Sequence, residues 1–401
     1  MLCQFSFKNF KSYKHETTLD FQAASLPEFK DSLITDNNVA TLLPVSAIYG
    51  PNGGGKSNLL MALSCVISTI VNPVNELGKN QTVPILQQQV RAIPFAFDSE
   101  SSHEPTEFRL FFRVGQNEYC YYIAFLNDTV ESEYLFRKAV TSKKSATIFE
   151  REGNDITLGY SINRKGMNTD VNPKMPYLSF LAINYNIPVI NEVISWFEGC
   201  IIRNYANPIV EYQLMLNSNE VWKKQFISAL NDMDIDITDY RYDEENNQVY
   251  LKRRVDNKDY EILYMEESEG TRKLISALPV LLLALRDGRL VIIDELDAKL
   301  HPKLLRYVIA LFKNKEINQH GAQLLFTSHD MSTLKNTVFR RDEIWFACEN
   351  DAHESEIYSL HDLRSEDGSR VKNTASYDKQ YLEGRYGADP YLRNMLGGAF
   401  E

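Results

Sequence analysis

Gly50-Pro51-Asn52-Gly53-Gly54-Gly55-Lys56-Ser57 is the stretch that decides the fold of this chain, because it fits the phosphate-binding pattern G-x-x-x-x-G-K-[ST]. The apolar run Val45–Tyr49 precedes it and predicts a buried strand, and apolar residues recur at helical spacing over residues 59–70. Strand, glycine-rich loop and helix are the context that this pattern requires. The alternative interpretation is a glycine-rich turn that merely leads into a helix.

The residue types in this loop suit the binding of a nucleoside triphosphate. Glycines let backbone N–H groups turn inward around phosphate oxygens at a helix N-terminus, where Cβ atoms would obstruct the approach. Lys56 is predicted to reach the β and γ phosphates of ATP, and Ser57 to ligate Mg²⁺. The predicted nucleotide-binding residues are Gly50, Pro51, Asn52, Gly53, Gly54, Gly55, Lys56, Ser57 and Asn58.

Composition indicates an ordinary soluble protein of 401 residues, 44% hydrophobic, with room for two or three subdomains. No apolar run reaches the roughly 18 residues that a membrane span needs. The N-terminus lacks a secretory signal, and the five cysteines lack the paired spacing of a disulfide framework, so we expect a cytoplasmic location. The net charge of −11 gives no overall attraction to nucleic acid, but a local basic patch would still permit DNA binding.

The order of patterns along the chain predicts four regions. Residues 1–175 read as the N-terminal lobe, with an antiparallel pair over residues 2–7 and 18–21, the P-loop and a β-rich stretch. Residues 176–235 have apolar positions at helical spacing and are predicted to be a helical insertion, without the sustained heptads of a coiled-coil arm. Residues 236–350 form the predicted C-terminal lobe, and residues 351–401 a tail that could contact a partner.

The second half of a nucleotide site lies at the end of an apolar strand predicted over residues 290–295. This strand ends in Asp294 and Glu295, and such a strand would deliver Asp294 to the Mg²⁺ shell beside the Ser57 hydroxyl. Glu295 is then placed to orient or deprotonate the attacking water. The pair alone would be a weak signal, but the upstream P-loop makes the catalytic interpretation the better one.

Two further motifs complete the predicted site. Residues 323–328 form an apolar strand that leads into His329, whose position one strand after the Asp-Glu pair favours a γ-phosphate sensor over a structural histidine. Ser268 and Gly270 precede an apolar helix, and a Ser and a Gly at a helix N-terminus supply a second phosphate cradle. A plain Ser/Gly helix cap is an equal alternative on local grounds, and the order of the motifs decides for the cradle.

The order P-loop, S-x-G, strand with Asp-Glu, L-D and S-H-D resembles the ABC-type ATPase head, in the branch that includes the SMC and RecF proteins and the overcoming-lysogenisation-defect nucleases. The resemblance covers residues 1–70 and 260–350. It implies an α/β fold with a mixed central sheet and an antiparallel β subdomain. It also implies that Ser268 and Gly270 cap the nucleotide bound to an opposite subunit, that Asp297 lies in a dimer-facing loop, and that His329 is the switch.

Three other features belong to this resemblance. The segment Asn9-Phe10-Lys11-Ser12-Tyr13 is similar to a family opening that lies near the nucleotide base, although it also reads as a polar turn between strands. The family's Mg²⁺-linked glutamine would be one of Gln87, Gln88 and Gln89. Residues 381–391 are similar to the C-terminus of stand-alone bacterial ATPases of the RloA and AbiL type, with a helix ending in a Gly/Pro turn as the alternative.

Departures from the family pattern argue against two functions, membrane transport and a fused nuclease activity. The S-x-G element lacks the full L-S-G-G-Q of transporters, and the acidic residues after position 350 lie in polar sequence without apolar strands that would position a nuclease metal cluster. The resemblance therefore implies a homodimeric or larger ATPase, with ATP and Mg²⁺ as cofactors, that controls a separately encoded effector, a nuclease or toxin, in anti-phage defence. The alternative is a DNA-repair or DNA-end-binding ATPase.

Overall fold

Strands outnumber helices in the computed structural model of the protein, which describes residues 1–36, 40–73, 92–162, 165–204, 220–298, 300–364 and 368–388. The strands are β1 (Leu2–Lys8), β2 (Thr17–Asp20), β3 (Ile34–Asp36), β4 (Ala40–Leu42), β5 (Val45–Tyr49), β6 (Thr106–Val114), β7 (Asn117–Leu126), β8 (Thr129–Ala139), β9 (Ala146–Glu152), β10 (Asp155–Leu158), β11 (Ile201–Asn204), β12 (Asp239–Asp243), β13 (Gln248–Val255), β14 (Lys258–Leu263), β15 (Leu290–Asp294), β16 (Gln323–Thr327), β17 (Ile344–Glu349) and β18 (Ser355–Ser359). The helices are α1 (Lys56–Val71), α2 (Tyr177–Asn184), α3 (Pro188–Gly199), α4 (Glu220–Asp232), α5 (Glu269–Asp287), α6 (Pro302–Lys313) and α7 (Tyr377–Leu382).

The P-loop lies on a six-stranded mixed sheet with the strand order β11, β15, β16, β5, β17, β18. The first five strands are parallel, and β18 joins β17 in the antiparallel direction. Because the carboxyl ends of neighbouring parallel strands meet at one edge of a sheet, the residues that follow β5, β15 and β16 converge there. The prediction of β5 followed by α1 is confirmed.

Both faces of this sheet are covered, which explains why its strands read as continuous apolar runs. One face packs on α1 and on the antiparallel sheet, through a set that includes Ile48, Ile292 and Leu325. The other face packs on α5, α6 and α7, through a set that includes Ala47, Ile293 and Phe326. Among the described residues, no helix is long and apolar enough to cross a bilayer.

A seven-stranded antiparallel sheet, ordered β10, β9, β8, β7, β6, β1, β2, forms the second layer. The expected pairing of the two N-terminal strands is confirmed, with Phe5 opposite Leu19, and so is the run of antiparallel strands from β6 to β8. A three-stranded sheet, β12 to β14, forms a smaller unit against α4 and the first half of α5. The predicted fold class, α/β with a mixed central sheet and an antiparallel β subdomain, is therefore confirmed.

The prediction of a single helical insertion over residues 176–235 is wrong. Helices α2 and α3 belong to the main core, where Phe112 of β6 stacks on Trp196 with ring centroids 4.2 Å apart. Strand β11 pairs in parallel with β15 as an edge of the central sheet. Only α4 packs elsewhere, against the three-stranded sheet. The apolar stripe of α3 was read correctly, but its partner, the N-terminal lobe, is a long-range contact that local periodicity does not specify.

The prediction that residues 351–401 form a tail is also wrong for the described part of that region. Strand β18 extends the central sheet, and α7 packs on the core, with Tyr381 stacked on Phe346 at 5.5 Å. Tyr377 and Tyr386 are buried beside it. Three tyrosines on a short helix and the turn after it supply the apolar area that holds this segment in place.

Candidate nucleotide-binding site

Two glycines of the P-loop, Gly50 and Gly54, are required by close packing on β17. A Cβ on Gly50 would lie 2.0 Å from the carbonyl oxygen of Ala347, and one on Gly54 would lie 2.6 Å from the same atom. Gly55 has φ of 98°, and its Cβ would lie 2.5 Å from Ser355 Oγ. A Cβ on Gly53 would meet nothing within 4 Å, so this part of the loop faces open space. The loop is thus pressed against the sheet on one side and open on the other, as a phosphate cradle must be.

Lys56 begins α1 and is buried, with its ammonium donating to the carbonyl oxygens of Gly50 at 2.7 Å and Pro51 at 2.8 Å. Burial lowers the pKa of this amine to about 8, against the opposing effect of the nearby carboxylates, first Asp294. A phosphate group would favour the charged form again, because an opposite charge at close range stabilises the ammonium. The position of Lys56 at the loop therefore suits a cation that binds phosphate.

Asp294 and Glu295 end β15, and Thr327 at the end of the neighbouring strand β16 connects them. The Thr327 hydroxyl donates to Asp294 Oδ1 at 2.6 Å and accepts from the Glu295 backbone N–H at 2.8 Å. Glu295 has φ of 53°, which is uncommon for a residue with a side chain and turns the chain sharply away from the strand. The turn puts the Asp294 and Glu295 side chains beside the P-loop rather than on opposite faces of a strand.

His329 follows β16 and is held through its backbone by the loop after β15. Its N–H donates to Asp297 Oδ2 at 2.9 Å. Partial burial and the Lys56 ammonium lower the pKa of its imidazole, and the neighbouring carboxylates oppose this effect. The imidazole is therefore neutral near pH 7, with one ring nitrogen as a donor and the other as an acceptor.

These groups line one cleft of about 240 Å³. The lining residues are Pro51, Asn52, Gly53, Gly54, Gly55, Lys56, Ser57, Asn58, Asp294, Glu295, Thr327 and His329. The structure thus brings together almost every residue predicted for the P-loop half and the catalytic half of the site. Ligand pockets for whole small molecules are roughly 300–1,000 Å³, so the cleft suits the phosphates, with the nucleoside outside it.

The P-loop and the start of α1 are held by hydrogen bonds to the N-terminal segment, residues 9–13, which also contacts β18. Tyr13 donates its hydroxyl to the Gly55 carbonyl at 3.2 Å. Ser12 Oγ accepts from Asn58 Nδ2 at 2.8 Å and lies 2.8 Å from Ser355 Oγ. The amide of Asn58 therefore binds this supporting segment. The proximity of residues 9–13 to the nucleotide base stays a prediction.

Ser268 and Gly270 lie apart from this cleft in the same chain. The helix begins at Glu269, earlier than the sequence pattern indicated, with Ser268 as the N-cap whose hydroxyl accepts from the Thr271 N–H at 3.2 Å. Ser268 is exposed, as a residue that meets another subunit would be before assembly. The candidate glutamines Gln87, Gln88 and Gln89 lie outside the described residues.

Sequence reasoning missed two residues that shape the site. Thr327 gave no signal beyond its position just before Ser328-His329. Lys273 is fully buried, and its ammonium donates to the carbonyl oxygens of Glu295 at 2.8 Å and Ala298 at 2.6 Å. A signal for Lys273 did exist, because it lies on the same stripe of α5 as the buried Ala277 and Leu281.

The residues at the cleft fit a magnesium ion that accompanies a nucleotide. The Ser57 hydroxyl and the Asp294 carboxylate both line the cleft. Oxygen atoms are the ligands that Mg²⁺ prefers, and Mg²⁺ usually takes one or two protein oxygens together with phosphates and water. The donor set therefore matches a shared protein and phosphate site.

Comparisons with known proteins give a family and a fold neighbour. The family model described as "AAA domain, putative AbiEii toxin, Type IV TA system" matches residues 45–335, which span the P-loop, Asp294, Glu295 and His329. No curated protein matches significantly. Among solved structures, 58 chains match, including the SMC head bound to the C-winged helix domain of ScpA. That structure is 14% identical, with 89% of this chain and 97% of that chain covered and a TM-score of 0.41.

Proposed function

Because this chain belongs to the family of AAA domains whose model spans its residues 45–335, we propose that it binds and hydrolyses ATP and uses that cycle to control a separately encoded effector in anti-phage defence. The observation that carries the ATPase proposal is the meeting of Lys56, Asp294, Glu295 and His329 in one cleft above the P-loop. A basic group, two carboxylates and an imidazole at a phosphate cradle are the groups that phosphoryl transfer to water requires.

Each residue has a defined part in this reaction. The P-loop N–H groups and the Lys56 ammonium hold the β and γ phosphates, and Glu295 orients a water molecule toward the γ phosphorus. The oxygen of that water bonds to the phosphorus as the bond to the β,γ-bridging oxygen breaks, and the proton of the water passes toward the Glu295 carboxylate. His329 hydrogen-bonds the γ phosphate and so distinguishes ATP from ADP.

The Ser57 hydroxyl and the Asp294 carboxylate would hold Mg²⁺, which neutralises phosphate charge when bound. Thr327 fixes Asp294 through its donated hydrogen bond. Because the same hydroxyl accepts from the Glu295 N–H, the metal ligand and the residue that orients water are set relative to one another by a single side chain.

The proposed site is shared between two copies of the chain. In one chain the exposed N-terminus of α5, with Ser268 and Gly270, lies outside the cleft, so it is available to a second molecule. A helix N-terminus with an exposed hydroxyl favours an anion such as a γ phosphate. Two copies would then enclose two nucleotides, and ATP binding would be coupled to association by mass action.

Control of an effector is the proposed role of the ATP hydrolysis cycle. The description of the family names a toxin and a type IV toxin-antitoxin system, which supports a role in a system of more than one component. Copurification with the product of a neighbouring gene, dependent on ATP, is the expected result. DNA-stimulated and salt-sensitive hydrolysis without such a partner would instead favour a DNA-repair or DNA-end-binding ATPase.

Glu295→Gln tests the ATPase proposal, with Lys56→Ala beside it. We expect Glu295→Gln to bind ATP, to release phosphate at least 100-fold more slowly, an order of magnitude typical for the loss of a catalytic group, and to accumulate as the larger oligomer in size-exclusion chromatography with ATP. Lys56→Ala should lose nucleotide binding. Glu316→Gln, at an exposed position away from the cleft, is the matched control. Unchanged phosphate release by Glu295→Gln would show that another group activates the water.

A further inference from the structure

A buried lysine connects the helix that carries Ser268 to the residue proposed to activate water. Lys273 lies in the second turn of α5 with none of its surface exposed. Its ammonium donates to the Glu295 carbonyl at 2.8 Å and to the Ala298 carbonyl at 2.6 Å. A buried ammonium is costly unless hydrogen bonds satisfy it, so this side chain is bound firmly to those two carbonyls.

The segment that Lys273 holds is the turn of residues 295–298. This turn is closed by a hydrogen bond from the Ala298 N–H to the Glu295 carbonyl at 3.1 Å. It begins at Glu295 with φ of 53°, an unfavourable backbone conformation for a residue with a side chain, which surrounding contacts must maintain. Thr327 holds the Glu295 N–H from the side of β16, and Lys273 holds the Glu295 carbonyl from the side of α5.

The second turn of α5 is held by Tyr264, which precedes the helix. The Tyr264 hydroxyl donates to the Arg272 carbonyl at 2.9 Å and lies 2.8 Å from Ser276 Oγ, which spans the second turn of the helix. Ser268, at the N-cap, is separated from Lys273 by little more than one helical turn. A displacement of the N-terminus of α5 is therefore transmitted to the Lys273 ammonium.

We propose that Lys273 is a positioning residue that keeps the Glu295 turn in its hydrolytic conformation, so that hydrolysis at this chain's own P-loop depends on the position of helix α5. The inference rests on the proposed function, in which Glu295 orients water. When a second copy's nucleotide engages Ser268, α5 is fixed, and Lys273 passes that state to Glu295 in the same chain. Each chain thereby senses occupancy of its partner's site.

The first test separates hydrolysis from binding. Lys273→Met keeps the length and apolar stem of the side chain and removes the donors. We expect its single-turnover phosphate release to be about 10- to 100-fold slower, since small misplacements of reacting groups have effects of this order. The Kd of a fluorescent ATP analogue should change less than threefold. Lys273→Gln keeps two N–H donors on a shorter side chain, so its phosphate release should be slowed less. This variant is used in place of Lys273→Met if Lys273→Met folds poorly.

Lys313→Met is the matched control. The Lys313 side chain is also largely buried, at 8% exposed, and its ammonium donates to the Val338 carbonyl at 2.8 Å and to Glu343 at 2.6 Å, away from the cleft. It should lower the Tm without slowing phosphate release at a temperature where the protein is folded. Equal rates for Lys273→Met and the unmodified protein, or equal slowing by Lys313→Met, would overturn the positioning role.

Hydrogen exchange without nucleotide gives a readout that does not require ATPase activity. In Lys273→Met the amides of residues 295–298 should exchange at least tenfold faster, while those of α1 stay unchanged. Unaltered exchange in this turn would overturn the inference even if hydrolysis changed. If the unmodified protein failed to hydrolyse ATP but exchange responded as expected, the proposed ATPase function would fail, and the link between α5 and the turn would stand.

Mixed oligomers test the direction of the effect. In a mixture of Glu295→Gln chains with unmodified chains, only the unmodified chains hydrolyse ATP. Lys273→Met added to the Glu295→Gln chain should leave phosphate release unchanged, whereas Lys273→Met in the other chain should slow it. The reverse result would show that Lys273 acts on the partner's site and would overturn its action within one chain.

Discussion

Thr327→Val removes the one hydroxyl that links Asp294 to Glu295 while keeping the shape of the side chain. Thr327 is 1% exposed, so water cannot replace the lost group. The half-buried Glu295 N–H loses its acceptor, which costs about 1–3 kcal/mol, and the charged Asp294 carboxylate loses a hydrogen-bond donor, worth about 1.5–3 kcal/mol. The two losses share one side chain, so we expect the free energy of unfolding to fall by about 2–4 kcal/mol.

The effect on turnover should be larger than the effect on binding. Thr327 makes none of the hydrogen bonds that hold Lys56, because the Lys56 ammonium donates to the carbonyl oxygens of Gly50 and Pro51. The Kd of ATP should therefore stay within about threefold, while phosphate release slows about 10- to 100-fold as the Glu295 turn moves. Stopped-flow phosphate release and equilibrium binding of a fluorescent analogue measure the two quantities separately.

Two controls accompany Thr327→Val. Thr327→Ser keeps the hydroxyl and should retain most of the activity. Thr333→Val is the matched burial control, because Thr333 is 0% exposed and lies 3.1 Å from the Tyr49 hydroxyl, with no hydrogen bond to Asp294 or Glu295. It should lower the Tm without changing turnover of the folded protein. The reasoning is refuted if Thr327→Val releases phosphate at the unmodified rate, or if Thr333→Val is equally slow.

Two further predictions concern the P-loop itself. Gly54→Ala places a Cβ 2.6 Å from the Ala347 carbonyl oxygen, whereas the Cβ of Gly53→Ala meets nothing within 4 Å and costs only the left-handed backbone at φ of 82°, about 1–2 kcal/mol. Gly54→Ala should therefore lower the Tm more than Gly53→Ala, and equal shifts in thermal unfolding would contradict this. Burial lowers the pKa of Lys56 to about 8 in the free protein, and bound phosphates raise it. The affinity for ATP should therefore be constant below pH 8 and fall at higher pH by up to about tenfold per pH unit. Equilibrium titrations from pH 7 to 9.5 would measure this change.

Much of the fold around the P-loop could be predicted because the signals there are local. A buried strand of a parallel sheet is a short apolar run, so Val45–Tyr49 and Leu290–Asp294 were evident in the sequence. Gly50 and Gly54 mark the loop because β17 approaches it too closely there for a Cβ. The placement of the Asp294 and His329 strands in the same sheet as the P-loop strand followed from the resemblance in motif order and not from periodicity.

The elements that sequence reasoning placed wrongly depend on distant partners. Strand β18 contains two serines and a glutamate among its five residues and lacks an apolar alternation, yet it forms because β17 offers an open edge with which it pairs. Its first residue, Ser355, also binds Ser12 through its backbone N–H at 2.7 Å. These contacts join positions far apart in the chain, and no local pattern encodes them.

The two halves of the nucleotide site are held by different parts of the molecule. The P-loop rests on Ala347 of β17, Ser355 of β18 and Tyr13 of the N-terminal segment. The Glu295 turn is held by Thr327 of β16 and Lys273 of α5. Since α5 carries Ser268, the Glu295 turn is connected through Lys273 to the surface that we propose meets a second copy. Under that proposal, ATP binding favours association and the associated state regulates hydrolysis through α5, which is the behaviour that a switch controlling an effector requires.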